Sequence, residues 1–365
     1  MSVFSFRNRA PSISTALAQD RNNFAPIRLA LALAVVVSHA FSVTTGVITD
    51  EPLTISTGFT LGEHAVNGFF AISGFLVTMS FDRRGWRDYA IARTLRIAPG
   101  LIVAVLAVSL LLGAAMTALP LDEYLQSPGL RRFVTATLTS FKSNIALPGV
   151  FADNPFKFPM GTVWTLKYEV LCYAGVLAFG VAGLLRSRAV SLALVAGLAL
   201  ALASLDLVRP DATKSLETSL RLPLIFAFGG ALYVWRNRAR LSGPLALALL
   251  AVTALASGTF LYKTLLFLST SYAVMWLALA PILTRRTYEP GADLSYGTYL
   301  YGWPAQQSLH ALFPTASALV LLMPSLIATF AVAAASWYAV EKPALALKAR
   351  TLGRRTLKTI EPAAP

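Results

Sequence analysis

An arginine and a histidine share one apolar stretch near the start of the sequence. Arg28 and His39 are 11 residues apart in a run of Leu, Ala and Val. On a helix this spacing is a rise of about 16 Å and returns both side chains to nearly the same face. The pair would place a cation at one membrane surface and an imidazole near mid-membrane, where an ionisable group is a functional candidate. The plainer interpretation is a snorkelling arginine and a structural histidine bonded to a neighbouring helix.

A carboxylate lies at a similar depth in a later apolar stretch. Glu169 ends the string Trp164-Thr-Leu-Lys-Tyr-Glu169, about 9 Å into a helix that would begin near residue 163. A buried carboxylate that faces a buried imidazole orients it or stabilises its charge. We therefore predict that His39 and Glu169 are the catalytic residues.

A cluster of arginines follows the second apolar stretch. Arg93 and Arg96 belong to it, and their spacing of three residues puts them on one helix face. Arginine binds phosphate through paired hydrogen bonds, so this face could clamp a phosphate group. The plainer interpretation is charge that only sets the topology of the chain.

These residues belong to a chain whose composition suits a membrane better than water. Of its 365 residues, 56% are hydrophobic and 13% are charged, whereas about 25% are charged in a typical soluble protein. A single cysteine, Cys172, excludes a disulfide framework and a thiolate zinc site. Only three histidines occur, none in a metal-binding spacing, so no metal site is predicted.

Apolar runs long enough to cross a bilayer predict an all-α, polytopic integral membrane protein with about ten transmembrane helices. The runs lie near 27–49, 66–81, 97–119, 163–185, 189–207, 219–235, 242–260, 264–283, 294–312 and 316–340.

The distribution of basic residues predicts the orientation of these spans. With a cytoplasmic N-terminus, the cytoplasmic segments carry 22 of the 31 Lys and Arg residues, the bias expected of cytoplasmic loops. Both termini are therefore predicted to be cytoplasmic. Because this charge lies in short loops beside apolar spans, the net charge of +14 does not indicate nucleic acid. The predicted plan is a cytoplasmic tail at 1–26, a membrane domain at 27–340 with an extracytoplasmic loop at 120–162, and a basic cytoplasmic tail at 341–365.

Two further spans carry small or polar side chains on one face. Asn67 lies at the outer entrance of span two, where Ser73 and Gly74 would let another helix approach closely. In span nine, Ser295 and Tyr299 are four residues apart and share a polar face. For span two the plainer interpretation is helix packing, which small residues serve in most membrane proteins.

With these residues in place, the chain resembles the acyltransferase-3 family of ten-span membrane acyltransferases, which includes O-antigen, exopolysaccharide and nodulation-factor O-acetyltransferases. The resemblance runs from Arg28 to Pro343, and Arg28 with His39 resembles the family's Arg-x10-His pair. Five more short elements resemble the family's in the same order: Gly68-Phe-Phe-Ala-Ile-Ser-Gly-Phe-Leu, Arg93-Thr-Leu-Arg96-Ile, Trp164-Thr-Leu-Lys-Tyr-Glu169, Leu294-Ser-Tyr-Gly-Thr-Tyr-Leu-Tyr and Glu341-Lys-Pro343. Asn67 departs from the Asp of many members, and the fourth-span motif has one Glu where some members have two.

The resemblance implies a donor, an acceptor and a role for each candidate residue. Cytoplasmic acyl-CoA, most simply acetyl-CoA, would be the donor substrate, with no tightly bound cofactor. Its phosphates would be held by Arg28, Arg93 and Arg96. His39 would be the general base on a hydroxyl of a glycan or lipid-linked sugar at the extracytoplasmic side of a bacterial inner membrane, with Glu169 beside it. The implied substrate-binding residues are Asn67, Ser73, Trp164, Tyr168, Ser295 and Tyr299.

Other functions remain open at this level. A proton-coupled transporter or flippase could use His39 and Glu169 as a proton relay. An acyltransferase of this type could also act on a small-molecule acceptor. A structural membrane scaffold explains the spans but not an Arg–His stripe beside a buried Glu.

Overall fold

The computed structural model describes residues 11–18, 22–280 and 292–347. Within these ranges the regular structure is helical, accompanied by two isolated bridges, Ser12–Arg240 and Thr117–Val150. The prediction of an all-α chain is therefore confirmed.

Fifteen α-helices are defined within the described residues. In chain order they are α1 Ile13–Leu17, α2 Phe24–Thr45, α3 Thr54–Thr57, α4 Leu61–Arg84, α5 Trp86–Leu106, α6 Gly113–Met116, α7 Leu121–Gln126, α8 Pro128–Ser140, α9 Trp164–Val181, α10 Arg188–Val208, α11 Lys214–Val234, α12 Gly243–Leu255, α13 Tyr262–Leu279, α14 Ser295–Leu312 and α15 Ala318–Ser336. A 3₁₀ turn, Ile48–Asp50, follows α2, and π-helical segments, Ala107–Leu112 and Trp337–Glu341, extend α5 and α15.

Five helices are long and apolar enough to cross a membrane: Phe24–Thr45, Leu61–Arg84, Trp86–Met116, Arg188–Val208 and Ala318–Leu347. A helix also lies at each of the other five predicted spans, but these are shorter or more polar. Helix α12 has 13 residues, whereas a straight span needs about 20. Length and apolarity therefore give five candidate spans within the described residues, as expected of a membrane protein, and the ten-span arrangement stays a prediction.

The chain divides into two compact units. Among the described residues, the first contains 11–18, 22–27, 67–83 and 178–280, and the second contains 28–66, 84–177 and 292–347. Of the predicted tails, the N-terminal one contains α1, whose Ile13 and Ser14 amides donate to the backbone near the end of α11. In the C-terminal one, residues 348–365 lie outside the described residues.

Buried charges explain why α11 is polar for a span. In the first unit, the fully buried Arg221 of α11 lies 3.6 Å from Glu217, one turn earlier. Lys263 of α13 reaches Asp206 of α10 at 2.6 Å and Glu217 at 3.8 Å. Two acids and two bases are thus paired, as buried charges must be. We call these four residues the charge cluster.

The second unit has an apolar core that includes part of the predicted extracytoplasmic loop. Tyr124 of α7 and Phe133 of α8 are buried against Val105 and Leu300, and the Tyr124 hydroxyl donates to the Ser109 carbonyl at 2.5 Å. Burial raises the pKa of Tyr124 to about 12. Part of the region 120–162 is therefore packed into its unit, while many of its other side chains are exposed.

Helices α4 and α11 of the first unit meet at glycines, as the small residues of span two predict. A Cβ at Gly74 would lie 2.0 Å from the Phe226 carbonyl oxygen, and one at Gly229 would lie 2.1 Å from that of Ala71. Backbone atoms cannot move aside as side chains do. The close approach therefore requires glycine on both helices.

Substituting Gly74→Ala should lower the thermal stability of the protein in detergent, because the added methyl group forces the two backbones apart. Overpacking of this kind costs about 1–3 kcal/mol. Gly197→Ala in α10 is the matched control, since its Cβ would enter open space and alanine favours a helix by about 1 kcal/mol. Equal losses of melting temperature in the two variants would contradict the close approach.

Candidate active site

The imidazole of His39 is held by a carboxylate from a loop. Its Nδ1 lies 3.0 Å from Oε1 of Glu51, which follows the 3₁₀ turn after α2. The Glu51 side chain is 3% exposed and that of His39 is 23% exposed. A carboxylate on Nδ1 fixes the ring and leaves Nε2 as the nitrogen that can exchange a proton with a substrate.

Two serines on the same helix complete the surroundings of this carboxylate. Ser38 donates to Oε2 of Glu51, and Ser42 donates to Oε1 at 2.5 Å. The Ser38 hydroxyl also accepts from the Gly62 amide at 2.8 Å, at the start of α4. Ser38, His39, Ser42 and Glu51 form what we call the histidine centre.

The charge of Glu51 is maintained against its burial. Burial alone raises the pKa of this carboxyl, but the hydrogen bond and charge of His39 and the bonds from Ser38 and Ser42 outweigh it, and the pKa falls to about 2. Glu51 is therefore ionised at neutral pH. A fixed anion beside Nδ1 stabilises the imidazolium that forms when Nε2 accepts a proton.

Aromatic side chains pack beside the same imidazole. Trp303 of α14 meets the His39 ring edge-on, with centroids 5.0 Å apart. Its Nε1 donates to the Phe158 carbonyl at 2.9 Å, and its ring stacks on that of Phe158 at 5.4 Å. The imidazole of His39 is thus held by the carboxylate of Glu51 on one side and packs against the stacked rings of Trp303 and Phe158.

Two of the predicted phosphate-binding arginines share a second carboxylate. Arg28 and Arg96 lie 3.0 and 2.9 Å from Oδ2 of Asp293, just before α14. Ser295 donates its hydroxyl to Oδ1 at 2.5 Å. Burial raises the pKa of Asp293, but Arg96 and Arg28 outweigh it and hold that pKa well below its usual range. These four residues form what we call the arginine centre, which carries two cations and one anion.

The third predicted arginine, Arg93, packs on a tyrosine that is hydrogen-bonded to Glu169. The Arg93 guanidinium lies 5.6 Å from the centroid of the Tyr173 ring, and the Tyr173 hydroxyl donates to Glu169. Arg93 Nε is buried and has no hydrogen-bond partner among the described residues. A buried donor of this kind is available to a ligand acceptor.

The structure does not pair Glu169 with His39 as the sequence-based prediction had expected. Glu169 bonds Tyr173, one turn later on α9, and Nδ1 of His39 bonds Glu51. Matching depths along two helices do not determine which faces meet. Glu169 thus lies with Arg93 and Tyr173.

The predicted substrate residues of α14 serve to position other groups. Ser295 belongs to the arginine centre, and the Tyr299 hydroxyl bonds Thr165 and the Thr162 carbonyl. Further along that face, Gln306 donates to the Val36 carbonyl of α2 at 2.7 Å. The polar face of span nine therefore packs against protein.

The remaining predicted substrate residues lie in different places. Trp164 and Tyr168 stack edge-on at 6.1 Å at the start of α9, and the Lys167 ammonium lies 4.7 Å from the Tyr168 ring. Asn67 and Ser73 belong to the first unit. Asn67 is 1% exposed, and its side-chain amide has no hydrogen-bond partner among the described residues.

Sequence reasoning missed Glu51, Asp293, Tyr173 and Trp303. Both acids lie in loops, where helical periodicity gives no signal. A search for the counter-ions that buried cations require would have singled out Asp293, an acid beside a predicted span end. Tyr173 lies four residues after Glu169, on the same helix face.

Comparisons with known proteins identify the family of the chain. The chain is a helical membrane protein with an oriented histidine and a group of arginines in one unit. A family model described as an acyltransferase domain matches residues 27–339. The chain belongs to this family, acyltransferase-3, which confirms the resemblance and makes the protein an acyltransferase. An O-acetyl transferase of Shigella phage Sf6 is 26% identical over 295 residues, covering 78% of this chain and 85% of the relative. No solved structure matches the chain.

Replacing Glu51 with glutamine should lower thermal stability in a pH-dependent way. An unfolded glutamate titrates near about pH 4.3, while folded Glu51 titrates near pH 2. The stability from its charge is therefore complete above the unfolded value and is lost as the pH falls towards 2. At neutral pH the variant should lose about 1–3 kcal/mol.

The measurement is the melting temperature of wild type and Glu51→Gln across a pH series in detergent. The difference should shrink as the pH falls below about 4.3, where the carboxyl of the unfolded chain becomes protonated. Glu123→Gln, at an exposed position of α7, should match wild type throughout. A Glu51→Gln protein as stable as wild type at neutral pH would contradict the pairing.

Proposed function

We propose that this acyltransferase is an O-acetyltransferase of a bacterial inner membrane. It transfers an acetyl group from cytoplasmic acetyl-CoA to a hydroxyl of a glycan or lipid-linked sugar on the extracytoplasmic side. The observation that carries the proposal is the His39 imidazole, held at Nδ1 by the buried, ionised Glu51. Family membership supplies the acyl transfer, and the phage relative supports an acetyl group and an oxygen acceptor.

In the proposed reaction His39 is the catalytic base and Glu51 is a positioning residue. Nε2 of His39 takes the proton of the acceptor hydroxyl as its oxygen attacks the thioester carbonyl. The carbon–sulfur bond then breaks, the ester forms, and the CoA thiolate takes the proton back from His39. Transfer through an acetyl-histidine intermediate uses the same groups. Glu51 stabilises the transient imidazolium in either case.

The three arginines are proposed to hold the CoA phosphates. In the arginine centre two guanidiniums share one carboxylate, and the carboxylates of Glu169 and Glu341 act on them from further away. Arg93 adds a third guanidinium, whose buried Nε has no hydrogen-bond partner among the described residues. Glu169 positions Arg93 through Tyr173. Because Arg28 and His39 both lie on α2, the phosphate site and the base are about 16 Å apart along one helix, a span suited to the thin pantetheine arm.

We propose ten spans with both termini on the cytoplasmic side. Each predicted span has a helix, and the bias of Lys and Arg towards alternate loops supports an even number. Shorter members such as α12 can cross where the bilayer thins locally. This orientation puts Arg28 at the cytoplasmic surface, where acyl-CoA is available.

The acceptor and the base can be tested together in cells. The O-acyl content of surface glycans is measured by mass spectrometry in wild type, a deletion strain, and the deletion restored with His39→Ala. Deletion should remove an acetyl group that only the wild-type gene restores, because loss of a positioned base costs about 10²–10⁴-fold in rate. His64→Ala, in the loop-side start of α4 and bonded to Thr57, is the matched histidine control and should restore the acetyl group.

Immunoblots of the membrane fraction keep the comparison valid, since the variants must be present in equal amounts. Full acetylation with His39→Ala would remove His39 from the mechanism. Glycans unchanged by deletion would contradict a glycan acceptor and redirect the search to small molecules.

The donor can be tested by thermal shift with CoA. A ligand at about 100 times its Kd stabilises the folded protein by about 2.7 kcal/mol, so CoA should raise the melting temperature of wild type. Arg93→Gln should reduce that rise while leaving the Asp293 contacts of Arg28 and Arg96 intact. Arg131→Gln, at an exposed position of α8, should respond like wild type. A wild-type protein that ignores CoA would contradict the donor and favour a transporter.

A further inference from the structure

The first unit contains a cavity that the proposed acyl transfer does not use. Its volume is about 600 Å³, within the range of about 300–1,000 Å³ typical of small-molecule sites. It lies where the end of α4, the turn before α10, the start of α10 and the end of α11 come together. Its polar lining includes Thr78, Asp82, Arg186, Arg188, Tyr233 and Arg236.

Asp82 holds two of the cavity arginines in place. Its Oδ1 accepts from Arg186 Nε at 2.6 Å, and its Oδ2 lies 3.6 Å from Arg236 and accepts from the Tyr233 hydroxyl at 2.8 Å. The guanidinium of Arg236 also lies 4.2 Å from the Tyr233 ring centroid and donates to the Tyr233 carbonyl. The Arg186 side chain is 80% exposed and that of Arg236 is 32% exposed, so these contacts orient two guanidiniums that remain accessible to a ligand.

The positive charge of the cavity exceeds what Asp82 neutralises. Arg188 adds a third guanidinium, 5.6 Å from the ring of Trp235, so three arginines and one carboxylate line the cavity. Arg188 is also the first residue of the 21-residue helix α10. A cation at a helix N-terminus opposes the helix dipole, whereas an anion there is stabilised. An anionic ligand would relieve this excess of positive charge.

Arginines in short loops can set the orientation of membrane spans, a role that requires only their positive charge. The cavity residues do more, because a carboxylate shared by two of them and two aromatic rings orient their guanidiniums around one open cavity. Arginine forks are suited to the paired oxygens of a phosphate. Tyr233 and Thr78 offer hydroxyl groups beside them.

We propose that this cavity, lined by Arg186, Arg188 and Arg236, is a binding site for a phosphate ester. Two sources of that chemistry are available at the proposed cytoplasmic surface. One is the headgroup of an anionic phospholipid, which basic pockets between membrane helices bind. The other is a nucleotide phosphate such as the 3′-phosphate of CoA. The site does not depend on the proposed acyl transfer.

The test measures binding of four probes to the full-length protein in a neutral detergent. The probes are short-chain phosphatidylglycerol, short-chain phosphatidylcholine, CoA and dephospho-CoA, and binding is followed by microscale thermophoresis. Tighter binding of phosphatidylglycerol than of phosphatidylcholine identifies a lipid headgroup. Tighter binding of CoA than of dephospho-CoA identifies the nucleotide phosphate. In either case the affinity should fall at least about tenfold in Arg186→Gln/Arg236→Gln, because charge-assisted hydrogen bonds are lost.

Arg238→Gln/Arg240→Gln is the matched control, since it removes the same charge at exposed positions outside the cavity. It should change the affinity less than about twofold. Arg188→Gln leaves the contacts of Asp82 intact and gives a second reading where the double variant does not fold. Equal loss in cavity and control variants, or no binding of any probe that the cavity variants weaken, would overturn the proposal.

Discussion

The contact between Glu51 and His39 is the interaction on which the proposed chemistry depends. A carboxylate that is 3% exposed loses most of its hydration, and such a loss is tolerated only with compensating partners. Two serine hydroxyls and the imidazole provide them. The same three contacts that keep Glu51 ionised also fix the ring of His39, so stabilising the carboxylate and orienting the base are one requirement.

The same requirement is met at two further groups of charged residues. Asp293 joins Arg28 and Arg96 in the second unit, and the charge cluster joins Arg221, Lys263 and two acids in the first. The two groups differ in what stands beside them. The charge cluster pairs two acids with two bases. Beside the arginine centre, Arg93 keeps a buried Nε with no hydrogen-bond partner among the described residues, and this donor makes the region the candidate anion site.

The sequence predicts the helices and the residues they carry better than it predicts the contacts between them. Arg28 and His39 lie on one helix as their spacing indicates, and Gly74 marks a close helix approach as its size indicates. The partner of His39 could not be found in this way. Glu169 and Glu51 are both acids near the outer end of a predicted span, and only the rotation of α9 and the path of a loop decide between them. Neither quantity has a periodic signature.

In the two centres the helices supply the histidine and the arginines, and the loops supply the carboxylates. Helix α2 supplies His39 and Arg28, and helix α5 supplies Arg96. The loop after α2 supplies Glu51, and the loop before α14 supplies Asp293. A carboxylate inside an apolar span would have to be desolvated before its partner was in place. A loop at the span end supplies the carboxylate of each centre without placing it inside the apolar helix. The geometry of the proposed catalytic site is therefore completed by the loops, which explains why motifs within the spans pointed to His39 and the arginines but not to Glu51 and Asp293 beside them.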